Sequence, residues 1–152
     1  MMAYWAACNF GNQDFAALAV VAATLASGRC SRPQGVSLLH VHGTADQRVP
    51  WDGGSGRFTA RGGNWESARR GIEIFASGAQ CSPNWTAQQA SRDTTCYSTA
   101  CPGSDEVEYC LVQGGGHAWP GVSTTRRQER QGVYSSQDFF ATEAIAQFFL
   151  EH

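Results

Sequence analysis

VSLLHVHGTADQRVPWDGG, residues 36–54, decides how this chain is read. Its first part, VSLLHVHG at 36–43, is a short apolar run closed by glycine and turn formers, the pattern of a strand covered on both faces. HGTADQRVPWDGG, residues 42–54, then reads as a loop at the carboxyl end of that strand, where parallel α/β sheets gather functional residues. Asp46 sits in that loop; its plain reading is a turn former or helix cap. His40 and His42 flank Val41 and share one face of the strand. Two histidines so spaced suit a metal, but a metal site needs three or four ligands and none is evident beyond Asp46, so no metal is expected.

The flanking segments extend the pattern. FAALAVVAA, residues 15–23, is a second continuous apolar run of strand type, and SGRCSRPQG between the two runs is a loop by composition. Residues 1–9 read as a helix that starts without an N-cap. From Asn64 to Ala79, Trp65, Ala68, Ile72, Phe75, Ala76 and Ala79 recur at three and four, predicting a helix over the sheet. Residues 91–98 and 106–113 alternate as two strands of a hairpin turned by ACPGSD. A final helix is expected from Ser135 or Ser136, with Asp138 in its first turn and Phe139, Phe140, Ala144, Ile145, Phe148 and Phe149 on its apolar stripe. Strands and helices in this order make one α/β unit over residues 1–152.

The composition narrows the function classes. Of 152 residues 42% are hydrophobic and 16% charged, with five Trp, which is a globular composition. The net charge is −2 and every basic residue is Arg. The densest basic run, Arg126, Arg127 and Arg130, has Glu129 inside it and reads as a solvated loop, so no nucleic-acid partner is expected. The apolar run FAALAVVAATLA is about half the roughly 20 residues that cross a bilayer, so no membrane span is expected. Six cysteines (Cys8, Cys30, Cys81, Cys96, Cys101 and Cys110) form no C-x-x-C pair, which favours disulfides and an oxidising, secreted or periplasmic location. Fifteen connectivities are open to them; we favour Cys8 with Cys30, and the other four tying down 81–110. MMAYWAACNFGNQ carries neither the basic nor the apolar region of an export signal, so sequence upstream is expected.

A second loop completes the chemistry. GGGHAWPG, residues 114–121, comes after EVEYCLVQ just as the Asp46 loop comes after VSLLHVHG. A carboxylate and an imidazole on adjacent strand ends can pair, the acid fixing the tautomer of the histidine. Alone, His117 reads as a surface histidine. Three consecutive glycines before it are entropically costly and fit a backbone that passes close to something. Trp51 and Trp119 share these loops; they suit stacking on an apolar or aromatic acyl group, and equally suit roofing the core.

HGTADQRVPWDGG, GGGHAWPG and the leading MMAYWAAC together resemble the carboxyl-terminal half of the secreted polyhydroxybutyrate depolymerase and feruloyl esterase group of α/β-hydrolases. The resemblance implies an α/β-hydrolase sheet with flanking helices whose amino-terminal strands and nucleophile elbow are absent. It implies that Asp46 and His117 are the acid and base of a Ser-Asp-His triad, that Trp51 and Trp119 border the substrate site, and that no cofactor is used. In that family a Gly-x-Ser-x-Gly-Gly elbow stands just ahead of the segment matching Met1–Tyr4. No serine of this chain has glycines two before and two after; Gly53-Gly54-Ser55-Gly56-Arg57 fails at its last position. The serine is therefore expected upstream, the chain alone is expected to be inactive, and the missing half or a second copy is expected to cover the open sheet edge. Implied substrates are feruloyl or acetyl esters on plant polysaccharide, or hydroxyalkanoate polyesters. The alternative is a non-catalytic carbohydrate- or polymer-binding module derived from the same fold.

Overall fold

The structure, a computed structural model, describes residues 2–25, 30, 33, 35–57 and 64–152. Helix α1 (Met2–Phe10) passes through a 3-10 turn (Gly11–Gln13) into strand β1 (Ala17–Val21), and β2 (Ser37–Gly43) comes next. Most of the SGRCSRPQG loop between these strands lies outside the described residues. A two-residue pair, β3 (Gly54–Ser55) and β4 (Asn64–Trp65), precedes α2 (Ala68–Gly78). Then come β5 (Trp85–Gln89), β6 (Thr94–Thr99), β7 (Val107–Val112), a short α3 (Arg126–Arg130) and α4 (Ala141–Glu151).

The main sheet has five strands in the order β1-β2-β7-β6-β5. β2 lies parallel to β1 and to β7, while β7, β6 and β5 are antiparallel, so the α/β sheet is mixed. Every residue of β2 is buried, the polar Ser37, His40 and His42 included, as befits a strand with neighbours on both edges and layers on both faces. Alternation then sorts the side chains. Leu38 joins Tyr4 and Ala7 of α1 and Ile72 and Phe75 of α2 on one face, and Leu39 and Val41 join Phe148 of α4 on the other. A side chain such as Phe75, fully removed from water, contributes roughly 1.5–3 kcal/mol.

Local chemistry moves several boundaries from those the periodicity predicts. α2 begins at Ala68 and not at Asn64, because the Ser67 hydroxyl accepts the Arg70 N–H and starts the helix there. Asn64 and Trp65 pair instead with Ser55 and Gly54. α4 starts at Ala141, five residues past Ser136. The Ser136 hydroxyl does accept N–H groups, those of Asp138 and Phe139, but it closes an isolated turn and donates to Asp93. β5 is an edge strand of mostly exposed residues, WTAQQ, and carries no apolar alternation that would reveal it.

Three disulfides close Cys8 on Cys30, Cys81 on Cys101, and Cys96 on Cys110. The first joins α1 to the β1–β2 connection; the last links directly opposed residues of β6 and β7. Three such bridges suit an oxidising, extracellular or periplasmic environment. Among the described residues no helix is long and apolar enough to cross a membrane.

Candidate active site

The parallel arrangement of β2 and β7 sends the chain out of both strands at the same edge of the sheet. The loops beyond them are stitched together at once. Thr44 N–H donates to the Val112 carbonyl (2.9 Å), Ala45 N–H to the Gly115 carbonyl (2.8 Å), and Gly114 N–H to the Thr44 hydroxyl (2.9 Å).

Glycine is required at this seam. A Cβ on Gly43 would lie 2.2 Å from the Gly115 carbonyl oxygen, and Gly114 turns the chain at φ +69°. The close neighbours implied by GGGH are thus Gly43, at the end of β2, against Gly115, and Val133 against Gly116.

Asp46 uses its two oxygens differently. Oδ1 accepts the N–H groups of Arg48 (2.8 Å) and Val49 (3.0 Å), the hydrogen bonding of an Asx turn. Oδ2 lies 2.9 Å from Nδ1 of His117. The turn-former reading and the pairing reading of Asp46 both hold, one for each oxygen. Burial pushes the Asp46 carboxyl up, but the hydrogen bonds from His117, Val49 and Arg48 together outweigh it and hold the group below the ordinary carboxylate range. An ionised, buried Asp46 accepting from Nδ1–H leaves the lone pair of the imidazole on Nε2. Among the described residues nothing hydrogen-bonds that nitrogen, and the His117 side chain is 35% exposed.

His117 borders a cavity of about 260 Å³ shared with Val21, Ala22, Ala118, Trp119 and Gln128, at the carboxyl end of β1. Asp46 borders a second, of about 420 Å³, with Trp51, Asp52 and Arg57. The two tryptophans part company here. Trp119 is exposed on the rim, its ring N–H donating to the Thr142 hydroxyl (3.0 Å). Trp51 is half-buried, edge-on to His40 and His42 and tilted against Tyr109, so it roofs the core as well as lining a cavity.

Two groups of residues that the motifs do not reveal support the pair. Asp93, in the β5–β6 turn, gathers the hydroxyls of Ser91, Thr94, Tyr134 and Ser136. The Tyr134 carbonyl in turn accepts the Gly116 N–H (2.9 Å), so Asp93 holds the His117 loop from behind. Tyr4, His40 and His42 form the other group, beneath Asp46. The imidazole rings of His40 and His42 stack at 5.2 Å and hydrogen-bond to each other rather than converging on an ion. The one three-residue cluster of ligand type among the described residues is Cys96, Glu108 and Cys110, and its two sulfurs are already joined in a disulfide.

Neither a scan against protein-family models nor a search of curated proteins finds a match to this sequence.

Proposed function

We propose that Asp46 and His117 are the acid and base of a serine carboxylic-ester hydrolase of α/β-hydrolase type. The observation that carries this reading is the 2.9 Å contact between Asp46 Oδ2 and His117 Nδ1, with no hydrogen bond to Nε2 among the described residues and the His117 residue bordering a cavity. In this arrangement Nε2 takes the proton of a serine hydroxyl as its oxygen adds to the ester carbonyl. The imidazolium, stabilised by Asp46, then returns that proton to the departing alcohol oxygen, leaving an acyl-serine. Water repeats the sequence: it gives a proton to Nε2, adds to the acyl carbon, and the serine oxygen leaves with the proton.

The serine belongs on polypeptide that enters α1 from its amino-terminal side. Tyr4, in the first turns of α1, meets His40, which lies abreast of Val20 near the carboxyl end of β1. The start of α1 therefore points to the sheet edge that carries Asp46 and His117. β1 has β2 on one side and, among the described residues, no strand on the other, which suits a further strand leading to a nucleophile elbow. The surroundings suit an ester with an apolar or aromatic acyl group, stacked on Trp119, and the polyester and feruloyl or acetyl polysaccharide esters fall in this class.

The test extends the chain upstream of Met1 with its own coding sequence and follows para-nitrophenyl acetate hydrolysis and fluorophosphonate labelling. Hydrolysis that His117→Ala abolishes, with label on a serine ahead of α1, is expected. An extended protein that neither labels nor hydrolyses, yet adsorbs polysaccharide or polyester, supports instead a binding module, for which the exposed Trp5 and Trp119 are the contact candidates.

A further inference from the structure

Tyr4, His40 and His42 take no part in the proton transfers above, yet all three are almost wholly buried, none above 1% exposed. Polar groups so placed are costly unless hydrogen-bonded. These form a single line. Tyr4 Oη is 2.7 Å from Nδ1 of His40, His40 Nε2 is 3.0 Å from Nδ1 of His42, and His42 Nε2 is 2.8 Å from the Val49 carbonyl oxygen.

The carbonyl at the end of the line orders every proton in it. A carbonyl oxygen only accepts, so Nε2 of His42 bears hydrogen and, in a neutral ring, its Nδ1 is a bare lone pair. That lone pair needs a donor, which is Nε2–H of His40. Nδ1 of His40 is then bare as well, and the Tyr4 hydroxyl donates to it. Reversing any one link sets two lone pairs, or two hydrogens, against each other in a dry interior. Burial holds the rings neutral: it pushes His40 well below the ordinary imidazole range, helped by the nearby His42, and lowers His42 against the opposing pull of Val49 and Asp46. The Tyr4 phenol is pushed up by burial and keeps its proton.

Val49 joins this line to the site. Its C=O accepts from His42 while its N–H donates to Oδ1 of Asp46. We propose that Tyr4, His40 and His42 are positioning residues, a proton-ordered chain rooted in α1 that fixes Val49 and thereby keeps Asp46 turned with Oδ2 toward His117. The proposal rests on the hydrolase reading for its meaning to catalysis, but its test reads ring nitrogens and needs no turnover. The charged or titratable groups that act on the line are the amino-terminal charge of the chain, on His40, and Asp46 and His117, on His42.

The experiment records nitrogen-15 imidazole spectra of the 152-residue chain from about pH 8 to about pH 5, across the ordinary histidine range. His40 and His42 are both expected as Nε2–H rings with bare Nδ1 at the upper end of this range, and each takes up its proton below the ordinary histidine value. An Nδ1–H form of either neutral ring, or ordinary titration of either, overturns the proposal. Tyr4→Phe keeps the ring and removes the donor. In the folded variant His40 Nδ1 shifts, and so does the Nδ1 proton of His117. A His117 signal that stays in place in the folded variant also overturns the positioning role. The wild-type spectra decide the proton order whether or not the variant folds. A chain that proves to hydrolyse no ester in any form leaves these spectra unchanged, so the two failures are distinguishable.

Discussion

Asp46 Oδ2 and His117 Nδ1 meet at 2.9 Å across 71 residues of chain, while the other oxygen of the same carboxylate closes the turn that presents it. Asp46→Asn separates these duties. The amide oxygen keeps the N–H groups of Arg48 and Val49, which turns the NH₂ toward His117 and forces the proton of the ring onto Nε2, the nitrogen that must act as base. In the upstream-extended protein, ester hydrolysis is expected to fall on the order of 10⁴-fold with the fold intact. Rates of para-nitrophenyl acetate cleavage measure this; a loss of only a few-fold would show that Asp46 serves the turn alone.

The seam between the two loops gives a sharper structural prediction. Gly43→Ala places a methyl 2.2 Å from the Gly115 carbonyl oxygen and 2.4 Å from its carbon, both backbone atoms that no rotamer change can move. The strands or the loops must part, at a cost of roughly 3 kcal/mol, the upper end of ordinary overpacking. Denaturant unfolding should show this loss. A Gly43→Ala protein of wild-type stability would mean that the loops are not held this close.

Much of the frame is legible in the residues because long apolar runs admit few readings. FAALAVVAA and VSLLHVHG both form strands, the second buried throughout and the first only alternately, because β1 has a strand on one side alone among the described residues; the two loops behind VSLLHVHG and EVEYCLVQ carried Asp46 and His117 by position. The favoured Cys8–Cys30 bridge was also found. Several misses share a cause, which is that hydrogen bonds made far along the chain leave no local pattern; the start of α2, set by the local Ser67 cap, and the exposed edge strand β5 are different cases. Ser136 has the chemistry of a helix cap but spends it on a turn and on Asp93, so α4 starts later than its apolar stripe suggests. Asp93 looks like any turn residue until Tyr134 and Ser136 close on it. His40 and His42 share a face as expected, but the meaning of that face is set by Tyr4 and Val49.

Cys8–Cys30 ties the helix bearing Tyr4 to the β1–β2 connection, with 22 residues of sequence separation. Closing a loop of that length is worth about 3 kcal/mol. Replacing both cysteines by serine should therefore lower the melting temperature by roughly 6–12 °C for a chain of this size. Because Tyr4 is on the loosened helix, the variant should also become more sensitive to acid. Thermal unfolding at neutral and mildly acidic pH checks both effects, and an unchanged melting temperature would show that packing alone holds α1.

The buried imidazoles set how stability depends on pH. Both His40 and His42 have folded-state values below their ordinary one. Between about pH 6.5 and those lower values the unfolded chain binds protons that the folded chain does not, so stability falls as pH falls, by up to about 1.4 kcal/mol per histidine per pH unit. Asp46 acts in a second, more acidic window. Its carboxyl is held low in the fold, so its contribution is present above about pH 4 and is lost as pH drops through the folded value. Denaturant midpoints are accordingly expected to decline from about pH 6.5 downward, before carboxylates protonate, with a further fall once Asp46 takes its proton. His40→Gln lowers stability at neutral pH, through lost packing and hydrogen bonds, yet flattens the first decline. A wild-type profile level from neutral pH down to the carboxylate range would mean that the two histidines charge freely, and the dry, neutral chain from Tyr4 to Val49 would not exist.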